Sequence, residues 1–165
     1  MKTHKTLLLL VMTTAILLYG CFANTYNAKI LPYFTPTPPA ADETSIFIFR
    51  ENSAMGSARK FDIIDNDTVM AVLEPGTFGH FTVKSGEHEI VAYVAGPLMH
   101  YRVVNRPGET VYLHCKMGYT TGIFIEEIDR AKAEEMMSHF KYMGIEIKGK
   151  KTEINYKDYY DKLYK

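Results

Sequence analysis

The chain has 165 residues, 19 basic and 19 acidic side chains and two cysteines. Its length allows one ordinary domain beyond a leader. The balanced charge leaves no basic stripe for nucleic acid, and two cysteines exclude a disulfide framework.

The N-terminus is the most informative stretch. Met1-Lys2-Thr3-His4-Lys5 is basic, and Leu7 to Leu18 is apolar apart from Thr13 and Thr14. About a dozen apolar residues are too few to span a bilayer, which needs roughly 20. A basic start, a short apolar run and a small residue before the cut predict a cleaved secretory signal peptide over residues 1–20. Leu18-Tyr19-Gly20-Cys21 resembles the lipobox of bacterial lipoproteins. The resemblance implies cleavage between Gly20 and Cys21, a thioether-linked lipid on Cys21 and acylation of the new amino terminus. The partner it implies first is therefore a membrane, reached through the lipid on Cys21. Phe22 follows where an aspartate typically retains a lipoprotein in the inner membrane, which favours the outer membrane of the cell envelope, facing the periplasm or the outside. Loss of the two leader lysines leaves 17 basic against 19 acidic residues.

Residues 21–43 are expected to be the lipidated cysteine and a tether. The run Tyr33-Phe34-Thr35-Pro36-Thr37-Pro38-Pro39 lacks periodicity and favours extended polyproline conformations.

Residues 44–128 show the pattern of short strands. Ser45–Arg50 is β-branched and aromatic on both faces. Phe61–Ile64 runs into the turn signal Asp65-Asn66-Asp67. Val69, Ala71 and Leu73 alternate with Met70 and Val72. Pro75-Gly76 predicts a type II turn. A strand ending at Phe81 and Val83 precedes Ser85-Gly86. A longer strand carries Ile90, Ala92 and Val94 on one face, and Val91, Tyr93 and Ala95 on the other. Met99, Tyr101 and Val103 alternate with His100 and Arg102. Pro107-Gly108 turns into Val111–Lys116, and Gly122–Ile128 completes the set. The fold expected is mainly β: an antiparallel β-sandwich of about seven strands.

Residues 129–144 are expected to be a helix packed on that sandwich. Asp129 is a suitable N-cap. Ala133, Met136, Met137 and Phe140 form one apolar stripe, and Gly144 serves as the stop. Residues 145–165 make a tail rich in lysine and tyrosine.

The β region resembles the bacterial family known as domain of unknown function 2846. The likeness covers roughly residues 44–128. It rests on the strand ending Phe49-Arg50, on Val69–Leu73, on Pro75-Gly76-Thr77-Phe78, on Gly86-Glu87-His88 and on Pro107-Gly108-Glu109 leading to Tyr112. The layout is also similar to small surface-layer β domains with a Pro-Glu-Gly-Ala motif, although Lys84 stands where proline is common. The resemblance implies a lipoprotein-borne envelope domain and carries over no functional residue.

The chemistry-bearing residues form no recognisable catalytic set. His80, His88, His100 and His114 lie on predicted strands without the spacing of a zinc motif. His114 and Cys115 are neighbours on a strand and so point to opposite faces; Cys115 is expected to be a buried hydrophobe. Glu126, Glu127 and Asp129 read as a solvated rim beside a helix start. No cofactor and no metal are expected. The function expected is a non-enzymatic binding or structural module, with an envelope protein or glycan as its further partner. The alternative is an envelope enzyme or small-ligand carrier with a site built from loops, for which His80, His100 and Glu126 would be the first suspects.

Overall fold

The computed structural model describes residues 27–31, 35–54, 56–66, 68–94, 98–103, 106–118 and 122–146. The segment expected as a leader, Cys21 and residues 147–165 lie outside them. The described chain is mainly β, with ten strands and one helix. In order these are β1 (Asn27–Ile30), β2 (Glu43–Arg50), β3 (Phe61–Asp65), β4 (Thr68–Leu73), β5 (Thr77–Lys84), β6 (His88–Tyr93), β7 (Leu98–Val103), β8 (Thr110–Gly118), β9 (Gly122–Glu127), the helix α1 (Arg130–His139) and β10 (Lys141–Glu146).

The strands form two sheets. The larger has the order β1-β10-β5-β2-β8-β9, the smaller β4-β3-β6-β7. A shared core lies between them. Ile46 and Ile48 of β2, Val111 and Leu113 of β8, and Ile123 and Ile125 of β9 meet Phe61 and Ile63 of β3, Ala71 and Leu73 of β4, and Ile90 and Ala92 of β6. The sheets also approach at their margins, where β4 lies against β5 and β10, and β7 against β9.

β2 organises the larger sheet. Thr44 to Arg50 are all buried. Ile46 and Ile48 face the shared core, while Phe47 and Phe49 point the opposite way, into a second cluster with Phe78, Ala133 and Met136. Alternation along a strand requires this division. α1 supplies the cover: Ala133 and Met136 are buried, and Met137 and Phe140 pack beside them. Asp129 caps the helix, its side chain accepting from the Lys132 N–H at 2.7 Å.

Three expectations need correction. The larger sheet is mixed rather than antiparallel: β2 runs parallel to β8, and β5 parallel to β10. The described strands number ten rather than about seven. The helix does not reach Gly144. It ends at His139, and Phe140 is already extended. Lys141–Glu146 then pairs with β5 and β1. Gly144 sits in this strand because Leu31 lies over it: a Cβ there would come within 2.6 Å of Leu31 Cδ1.

Part of the segment expected as a tether is strand. Asn27–Ile30 is a strand, and the Leu31 N–H extends the pairing to the Tyr142 carbonyl at 3.0 Å. Thr35 to Pro38 are exposed, as suits a spacer, and the last tether residue, Glu43, opens β2. The predicted turn at Pro75-Gly76 is present: Gly76 has φ 69°, and the Thr77 N–H donates to the Glu74 carbonyl at 3.2 Å.

β4 approaches β5 closely at Gly79, where a Cβ would lie 2.8 Å from the Ala71 Cβ and 3.4 Å from Leu73 Cδ2. Overpacking such a contact costs about 1–3 kcal/mol. Gly79→Val is therefore expected to destabilise the domain by about that amount, read as a lower urea midpoint at unchanged slope.

Candidate functional site

The end of β2 that finishes at Arg50 holds a loop tied down by a buried side chain. Arg50 is 2 % exposed. Its guanidinium stands 3.8 Å from the centre of the Phe61 ring. One terminal nitrogen donates to the Arg59 carbonyl at 2.5 Å and the Leu73 carbonyl at 2.8 Å; the other donates to the Gly56 carbonyl at 2.7 Å. Burial pushes its pKa down to about 10, so it stays charged at neutral pH. A buried cation is tolerated only when hydrogen-bonded, and here backbone carbonyls do that work. The loop over residues 51–60 is consequently tied to β2 and to the end of β4. Met117 of β8 packs on the same loop: a Cβ at Gly56 would come within 2.4 Å of its sulfur.

Next to this loop the β8–β9 hairpin carries a mixed surface patch. Lys116 pairs in register with Phe124, and His114 with Glu126. Phe124 is 43 % exposed, yet its ring rests against Gly118. Lys116 bonds Glu126, and this contact holds the Glu126 carboxyl below the usual range. His114 is buried, with Nδ1 3.4 Å from Glu126 Oε1. Burial lowers its pKa, the Lys116 charge lowers it further and Glu126 partly opposes both. Its Nε2 is buried without a hydrogen-bond partner among the described residues. The patch therefore presents an ordered aromatic ring beside a paired cation and carboxylate. That combination suits recognition of a partner surface or a sugar ring.

The other residues weighed from sequence fall elsewhere. His80 lies 2.8 Å from Ser45 Oγ through Nε2 and stacks near Phe47, with ring centres 4.5 Å apart; burial lowers its pKa. His88 donates from Nε2 to the Lys84 carbonyl at 2.8 Å. Its Nδ1 lies 2.9 Å from the Asp65 carboxyl. This pair fastens the β5–β6 turn to β3. His100 occupies β7, opposite Val91 in the register. Cys115 is completely buried on the core face, away from His114, and burial pushes its thiol pKa far up. A thiol so shielded is a poor nucleophile. Glu127 forms a two-pronged ion pair with Arg106. Of these suspects Glu126 belongs to the patch, and His80 is occupied by Ser45 and Phe47. No group of three His, Cys, Asp or Glu among the described residues is arranged to hold a metal.

Sequence reasoning missed Arg50 and Asp62. An arginine closing an otherwise apolar strand, with Gly56 and Phe61 soon after, was the available signal for the first. Asp62 lies on β3 between Phe61 and Ile63, and so points away from the shared core. Its neighbours on that face include Val72, which is fully buried. Burial pushes its pKa up to about 6, an effect Lys60 only partly offsets.

Comparison with family models, with curated proteins and with solved structures gives no match.

Two predictions follow from these charges. Arg50→Met is expected to release the loop over residues 51–60, so that trypsin cuts after Arg59 and Lys60 at least tenfold faster than in the unaltered chain. Removing one partner of a buried charged hydrogen bond also costs roughly 2–4 kcal/mol, measurable by urea unfolding.

For Asp62 the folded carboxyl titrates near 6 and the unfolded one near 3.8. Above pH 6 the folded state carries the full cost of a buried charge. As the pH falls from about 6 to about 4, the folded state takes up the proton first, and stability rises. Asp62→Asn should therefore be more stable than the parent at pH 8 by up to about 3 kcal/mol, and most of the gap should close by about pH 4. Paired thermal or urea titrations at the two pH values decide it.

Proposed function

We propose that the chain is a bacterial lipoprotein, anchored in the cell envelope through a lipid on Cys21, whose β domain is a non-enzymatic binding module. The single observation that carries this reading is the N-terminal sequence: a basic start, a short apolar run and Leu18-Tyr19-Gly20-Cys21. The two facing sheets are read as a sandwich that lifts its loops toward an envelope protein or glycan. The patch of Lys116, Phe124 and Glu126, beside the Arg50-braced loop, is the surface best suited to that partner. A rigid loop loses little freedom on binding, so its contacts count more fully toward affinity. Exposed aromatic residues also supply much of the energy in binding surfaces.

The test uses the full gene expressed in a bacterium. The unaltered protein should incorporate an alkyne analogue of palmitate, partition into detergent phase and crosslink in cells to a partner. Cys21→Ala should lose the label and move to the aqueous phase. Phe124→Ala should keep the lipid and lose the crosslink. An unlabelled parent protein that fractionates like Cys21→Ala would overturn the anchor. A crosslink untouched by Phe124→Ala would overturn the patch.

A further inference from the structure

We propose that the outer face of the smaller sheet, centred on Ile64, Val72 and Val91, is a docking site for the chain's own C-terminal segment, which seats Tyr156, Tyr159, Tyr160 and Leu163 on it. The inference does not rest on the lipoprotein reading.

The face is defined by strand register. Asp62 of β3 lies opposite Val72 of β4 and Tyr93 of β6, and Ile64 lies opposite Val69 and Val91. Residues directly opposite on neighbouring strands share a face, so these six lie on one side of the sheet. The alternate residues Ile63, Ala71 and Ala92 belong to the core between the sheets. Ile64, Val72 and Val91 are nonetheless 0 % exposed, although neither apolar cluster of the described residues includes them. The helix α1 serves the other sheet. Aliphatic side chains so fully shielded from water call for a cover of their own.

α1 shows what such a cover requires. It buries Phe47 and Phe49 of β2 beneath Ala133, Met136, Met137 and Phe140, which are spaced i, i+3, i+4 and i+7 along one face of a helix. Beyond β10 the same spacing recurs at Tyr156, Tyr159, Tyr160 and Leu163. On a helix of that phase Lys157, Asp158, Asp161, Lys162 and Lys165 fall on the opposite side. Asn155 suits its N-cap, and Lys162 and Lys165 suit its C-terminal turn.

The point of departure agrees. β10 ends at Glu146 and lies against β4, the edge strand next to β3. Residues 147–152 can extend to roughly 20 Å. Neighbouring strands are only about 4.8 Å apart, so that link is long enough to turn around the edge at β4 and bring the stripe over β3.

Asp62 fits the same cover. Burial holds its carboxyl near 6, and Lys60 only partly offsets this. A stripe of tyrosine and leucine with its lysines turned to solvent shields Asp62 from water and brings it no cation.

The test takes residues 21–165 with Cys21→Ser, so that neither the leader nor a lipid is present. A photoreactive benzoylphenylalanine in place of Tyr160 should crosslink within the same molecule to peptides of β3, β4 or β6. Tyr156→Asp with Tyr160→Asp should lower the urea midpoint and raise severalfold the binding of a dye that fluoresces on apolar surface. Lys157→Gln with Lys162→Gln, on the solvent side, should do neither. In the tyrosine variant the Asp62 carboxyl, followed by carbon NMR, should titrate below about 6, toward 3.8. If that variant does not fold, the crosslink in the otherwise unaltered chain decides. Crosslinks to α1, or to another copy of the chain, would overturn the proposal. So would a tyrosine variant with unchanged midpoint and dye binding. No readout involves the lipid, so the anchor on Cys21 stands or falls by its own test.

Discussion

Everything in the larger sheet follows from the burial of β2 on both faces. Ile46 and Ile48 fill the space between the sheets, while Phe47 and Phe49 fill the space under α1. A strand with one wet face would leave two phenylalanines in water, and burying each large apolar side chain contributes about 1.5–3 kcal/mol. The helix is thus required by β2, although some eighty residues separate them in sequence. The same double burial leaves the arginine at the end of β2 without water. Its charge is met by three carbonyls, and this shapes the 51–60 loop. Core packing and loop order are in this way two results of one strand.

Local patterns carried much of this architecture in the sequence. Alternation and turn residues marked the strands from Ser45 to Ile128, and the Pro75-Gly76 turn took the expected geometry. Asp129 and the stripe at Ala133, Met136, Met137 and Phe140 located α1 and the face it buries. Long-range pairing was not legible. The parallel partnership of β2 and β8 joins Ser45 to Thr110, with the whole smaller sheet between them in sequence. β1 has only Asn-Ala-Lys-Ile to show, and its partner lies more than a hundred residues away. β10 was mistaken for the end of a helix because Tyr142 and Met143 suit either structure and Gly144 resembles a stop. Its role depends on Leu31 and β5, which no local window contains.

The candidate surface was legible in part for the same reason. Opposite faces for His114 and Cys115 follow from strand geometry alone, and Glu126 sits beside His114 because adjacent antiparallel strands pair. Phe124 could not be singled out, since an aromatic residue at that position reads equally as core. Exposure arises because Ile123 and Ile125 take the inward places. Nor does an arginine at a strand end reveal that it is buried. The Asp65–His88 and Ser45–His80 contacts show the opposite case: residues that look like chemistry in sequence are occupied by the turn and the strand they fasten.

The direction of the strands sets two opposite ends of the domain apart. β2 starts at Glu43, beside Lys84, and ends at Arg50, beside Thr77. β10 runs parallel to β5, so Glu146 and Asn27 lie toward the Lys84 end. The braced loop, the Gly76 turn and the β8–β9 hairpin lie at the Arg50 end. An eight-residue strand rises about 3.3 Å per residue, so roughly 25 Å separates the two ends. Asn27 lies at the first end, and Phe124 belongs to the second. The surface around Phe124 and the β1–β10 edge are thus held apart by the length of β2, the strand that both the core and the helix depend on.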